Sequence, residues 1–117
     1  MIAIQADSDY EAPPKDEVVV IAELQEFGGY WNMNKETAKM LKVDLGQLTS
    51  LKLPEAKNEK VWATLLVIAY LRTCLASKKN EWELVVEKAI DWLTNDQGCC
   101  DIEALTQRAE AELKKLI

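Results

Sequence analysis

The chain has 117 residues, a net charge of -6, no histidine and three cysteines, and 49% of it is apolar. That length suits one domain able to bury roughly two-thirds of its unfolded surface. The negative balance speaks against nucleic acid and anionic membrane surfaces as partners, because both are held by cationic side chains.

Residues 1–14 read as a flexible tail or linker, since Asp7, Ser8, Asp9, Glu11, Pro13 and Pro14 offer little to bury. Asp7 and Asp9 also interrupt any apolar signal core. A single helical domain is expected over 15–117. Its first helix should start near Lys15 or Asp16 and run to about Phe27, with Val18, Val20, Ile21, Leu24 and Phe27 on an apolar face. Gly28-Gly29 should close it, because glycine accepts the left-handed conformation of a helix end.

Tyr30 to Met33 is a short connector. Asn34 suits the cap of a second helix, and Asp44 the cap of a short turn bearing Leu45, Leu48 and Leu51 that Pro54 ends. Asn58 should cap a central helix at about 59–76. Its run Val61 to Leu71 is apolar all round but too short to span a bilayer, which takes about 20 residues. Cys74 reads as a small core residue of this helix.

After a polar break, Ser77 to Asn80, Asn80 should cap a helix with Trp82, Val85, Val86, Ala89 and Leu93 at helical spacing. Asn95 to Gly98 breaks it. Asp101 then caps a last helix with the stripe Ile102, Leu105, Ala109, Leu113 and Leu116. Docking on its own chain is its default role, and pairing with another chain's helix the alternative. The fold expected is all-α: a compact bundle of five to six helices around the apolar central one.

No reaction is spelled by these residues. Without histidine, a serine or cysteine nucleophile lacks its usual base. Glu83, Glu87 and Asp91 fall on one helix flank, as a solvated face would. Three cysteines cannot close a zinc site alone, and Cys99-Cys100 is an adjacent pair without Cys-x-x-Cys spacing. The expectation is no enzyme, no catalytic residue, no cofactor and no metal, in a reducing cytoplasm. A thiol role for Cys99 and Cys100 is the minor alternative.

The four tryptophans, Trp31, Trp62, Trp82 and Trp92, lie where helices should meet. Core positions are the natural reading, with each indole N–H finding a partner. Trp31 follows Gly-Gly and allows a second reading. With Phe27 and Tyr30 it would make an exposed patch that anchors a partner; otherwise the three fold back over the bundle end.

Leu24-Gln25-Glu26-Phe27-Gly28-Gly29-Tyr30-Trp31 followed by Met33 to Leu41, then Val61-Trp62-Ala63-Thr64-Leu65-Leu66, then Glu81-Trp82-Glu83-Leu84 to Asp91-Trp92-Leu93, resemble the three signature segments of one family, in order. It is the C-terminal helical region of proteins carrying a VIT domain and a von Willebrand factor A domain, found also at the end of the vault poly(ADP-ribose) polymerase. The resemblance covers about Val18 to Leu93. In the polymerase this region binds the major vault protein, so the resemblance implies an interaction or targeting module that carries its parent protein to vault particles. It implies no ADP-ribosyl transfer. The short link before Glu81 is more similar to the von Willebrand proteins that lack a polymerase. For those the alternative stands open: a structural end domain packing on the VIT and von Willebrand factor A domains of its own chain, with no outside partner. The sequence is silent on oligomeric state.

Overall fold

The computed structural model describes residues 17–50, 58–99 and 101–115. The tail over 1–14, the helix start at Lys15 or Asp16, Leu51, Pro54, Cys100 and Leu116 lie outside the described residues. Among these residues six α-helices follow in order: α1 Glu17–Leu24, α2 Lys35–Met40, α3 Leu45–Ser50, α4 Glu59–Cys74, α5 Lys79–Asp91 and α6 Ile102–Lys114. Among the described residues there is no strand, and the architecture is the all-α bundle that the apolar spacing implies.

Polar caps set several of the boundaries. Asn34, Asn58 and Asp101 accept the backbone N–H of Thr37, Val61 and Ala104, each satisfying a donor that the first helical turn leaves open. The end of α2 is closed without glycine. The N–H of Val43 reaches the Ala38 carbonyl and that of Lys42 the Lys39 carbonyl, with Lys42 itself left-handed at φ 63°.

Helix α4 is the axis of the core. Every residue from Val61 to Leu71 is buried, because α6 packs along it, α5 covers a further side, and Trp31 and Ile21 close the α1 end. Burying each Leu, Ile or Val side chain there stabilises the fold by about 1.5–3 kcal/mol. Helix α6 docks on its own chain through Thr106, Ala109 and Leu113. Arg72 of α4 clamps it, donating to Glu103 at 2.7 and 3.1 Å and pairing with Glu110 at 3.2 Å.

Three expectations are corrected, while the central helix keeps its expected span of about 59–76 to within two residues. Helix α1 ends at Leu24, three residues before Phe27, because a turn tied down by Gln25 takes over. Helix α4 ends at Cys74 and passes into a 3-10 turn, Ala76–Lys78. Helix α5 then begins at Lys79 without a side-chain cap, so Asn80 lies inside its first turn. Cys74 is exposed, because the inward positions at this end of α4 are Leu71 and Leu75. Beyond α5 the chain widens into a π turn, Trp92–Asp96, that buries the adjacent residues Trp92 and Leu93. No single helix among the described residues is long and apolar enough to cross a membrane.

Candidate functional site

The three signature segments meet at one joint. Between α1 and Asn32 the chain folds into a tight turn. The N–H of Gly29 donates to the Glu26 carbonyl at 2.9 Å, and that of Glu26 to the Tyr30 carbonyl at 2.8 Å, leaving Phe27 and Gly28 at the corner. The Gln25 amide ties this turn to α5, donating to the carbonyls of Gly29 at 2.9 Å and Val85 at 3.1 Å. Asn32 braces it from the other side through the Glu26 carboxylate at 2.8 Å. Gly29 has φ 114°, and a Cβ there would stand 2.7 Å from the Lys88 carbonyl. Only glycine allows the turn to sit this close to α5.

The aromatic residues divide around this turn. Trp31 is fully buried; its indole donates to the Ile21 carbonyl at 2.9 Å and its backbone N–H to the Thr64 hydroxyl at 3.1 Å. Tyr30 is half-buried, its ring 4.8 Å from that of Trp92 with the Lys60 ammonium 4.8 Å from its centroid. Phe27 is 96% exposed. The reading of Phe27, Tyr30 and Trp31 as one exposed patch is therefore corrected. Backbone direction reverses across the turn, so the ring before it points to solvent and the indole after it points into the core.

Phe27 stands beside an exposed face of α5. The Lys88 ammonium lies 5.5 Å from the Phe27 ring centroid. Leu84, one turn earlier on the same helix face, is 78% exposed. Leu84 sits opposite the buried stripe Trp82, Val86 and Ala89, a position visible on a helical wheel but absent from the expected set. Glu81, Glu83, Glu87 and Asp91 surround it, all exposed. Two large apolar side chains thus stand in an acidic field, and this surface is suited to contact.

A second polar cluster lies at the α1–α4 crossing. The Tyr70 hydroxyl donates to Glu17 at 2.6 Å, and Lys42 pairs with the same carboxylate at 3.3 Å. The hydrogen bond from Tyr70, with Lys42 behind it, holds the Glu17 carboxyl below the usual range against the opposing effect of burial. Burial first, and then Glu17, push the Tyr70 phenol upward. A groove of about 440 Å³ opens beside this cluster, floored by Val20, Leu24 and Met40 and edged by Glu23 and Lys39. Among the described residues no group of three or more acidic or cysteine side chains is placed to hold a metal ion.

No protein-family model and no solved structure matches the chain. It is similar to von Willebrand factor A domain-containing protein 5A of Mus musculus, with 27% identity over 106 residues, covering 91% of this chain and 13% of that protein. Against the Homo sapiens protein of the same name identity is 31% over 74 residues, covering 63% of this chain and 9% of the relative. A stretch of 35 residues, 30% of this chain and 4% of the relative, is 51% identical to a von Willebrand factor A domain-containing protein of Dictyostelium discoideum. The chain therefore spans about a tenth of the length of the protein 5A relatives. Its sequence is linked to von Willebrand factor A domain-containing proteins.

Proposed function

We propose that the chain is a non-enzymatic interaction module of a longer cytoplasmic polypeptide, and that it recruits its parent to vault particles by binding the major vault protein. The observation that carries the interaction reading is Phe27: a large apolar ring, 96% exposed, on a turn tied by Gln25, Asn32 and the close approach to Lys88. Solvent exposure of such a ring brings the fold no burial energy, whereas aromatic residues dominate binding hot spots. The vault partner comes from the resemblance of the signature segments to the polymerase region. Capture of purified major vault protein by the folded domain tests it, with Phe27→Ala as the surface variant. Trp31→Ala cannot serve that purpose, because it empties the core. A folded wild-type domain that captures none would remove the vault partner.

A second reading is favoured by the small share, 13% and 9%, that the chain covers of its relatives. In it the same surface packs on upstream VIT and von Willebrand factor A domains of the parent. Mixing the domain with those domains in trans distinguishes the two. Binding that Phe27→Ala abolishes, together with no capture of major vault protein, would favour the intramolecular role.

A further inference from the structure

The chemistry around Phe27 and Leu84 specifies more than a docking surface. Helix α5 turns Trp82, Val86 and Ala89 inward, which leaves Leu84 at the centre of its outer face. Glu81 flanks Leu84 on one side, Glu83 and Glu87 on the other, and Asp91 lies two turns on. The cations of α5 are Lys79, at its first residue, and Lys88, whose ammonium is drawn over the Phe27 ring. Glu26 beside Phe27 is taken up by Asn32. The apolar pair therefore sits among four exposed carboxylates that outnumber the nearby ammonium groups. None of these four carboxylates has a salt bridge to a described residue in the structure.

We infer that this face docks a cationic amphipathic segment of a partner protein, its apolar side chains meeting Phe27 and Leu84 and its lysines or arginines meeting the carboxylates of α5. This rests on the interaction reading above and names the partner's chemistry. Charge complementarity selects the occupant. A second copy of the chain would set like carboxylates against each other, and nucleic acid or an anionic membrane would be repelled. An uncharged apolar segment would leave the carboxylates facing low-dielectric surface without counter-charges.

The test uses the whole chain and two short peptides with leucines at i, i+3, i+4 and i+7, one filled with lysine and one with glutamate. The lysine peptide should bind and weaken as salt rises, while the glutamate peptide should not bind. Phe27→Ala with Leu84→Ser should weaken binding at least about tenfold. Glu83→Lys with Glu87→Lys should shift preference toward the glutamate peptide. Glu36→Gln on α2, an exposed carboxylate on another helix, should leave binding unchanged. Equal binding of both peptides, binding of neither, or an equal loss in Glu36→Gln would overturn the inference. Circular dichroism of each variant excludes unfolding as the cause, since every substituted residue is exposed. Purified major vault protein, run alongside, keeps the two readings apart. Capture that is indifferent to salt and to the lysine peptide overturns this inference and leaves the interaction reading standing. Lysine-peptide binding without capture removes the vault partner and leaves this inference standing.

Discussion

The backbone N–H of Trp31 donates to the hydroxyl of Thr64 at 3.1 Å across 33 positions of the chain, and that hydroxyl donates onward to the Lys60 carbonyl at 2.7 Å. Both residues are buried. The threonine of the central Trp-Ala-Thr segment thus receives the tryptophan of the opening segment. Replacing Thr64 by valine keeps the shape but strands a buried N–H, which should cost about 1–3 kcal/mol. Serine should cost less, because the hydroxyl survives and one methyl is lost. Urea midpoints of the two variants check the order, with unchanged slopes showing that stability alone moved.

Phe27 and Trp31 should separate stability from binding. Trp31→Ala should lose about 3–5 kcal/mol, as expected for emptying a large buried aromatic site. Phe27→Ala should lose no more than about 1 kcal/mol, the range of an exposed cation–π contact. Thermal melts measure both, and only the Phe27 variant should remain folded while losing partner capture.

The two glycines of the turn should differ. Gly29→Ala meets the Lys88 carbonyl at 2.7 Å from a left-handed backbone and should destabilise by at least about 1–3 kcal/mol. Gly28→Ala meets the Tyr30 ring edge at 3.3 Å, a side chain able to shift, and the Trp92 ring at 3.6 Å, an ordinary contact distance. Its melting temperature should lie nearer the wild type.

The Glu17–Tyr70 bond should shape both ends of the pH profile. Glu17 is held below its ordinary value of 4.5, so its contribution is present above that pH and is lost as pH falls through the lower folded value. Tyr70 is raised above its ordinary 10.0, so its contribution is present below pH 10 and is lost as pH climbs toward the higher folded value. Denaturant titrations across pH should show Glu17→Gln flattening the acid limb and Tyr70→Phe the alkaline limb.

Much of the scaffold could be read from local patterns. Asn34, Asn58 and Asp101 cap helices because each acts on a backbone N–H three residues away, and the all-apolar stretch of α4 could only lie at the centre. The misreadings arose where distant parts of the chain decide. Helix α1 stops at Leu24 because the Gln25 amide finds the Val85 carbonyl, 60 positions on. Cys74 is exposed because the inward positions at that end of α4 fall to Leu71 and Leu75. Of three neighbouring aromatic residues, only tertiary geometry distinguishes the one facing water, and the docking of the turn beside Lys88 puts that ring next to the helix face that carries Leu84.

The bracing of the Glu26–Tyr30 turn has a kinetic consequence. Its backbone is already closed by its own bonds and by Gln25, so a partner meeting Phe27 need not freeze a wandering loop. Little ordering entropy is left to oppose association, and free and bound states should nearly superimpose, as in rigid-body encounters. Cutting the Gln25 strut should then weaken capture through Phe27 while leaving that ring in place.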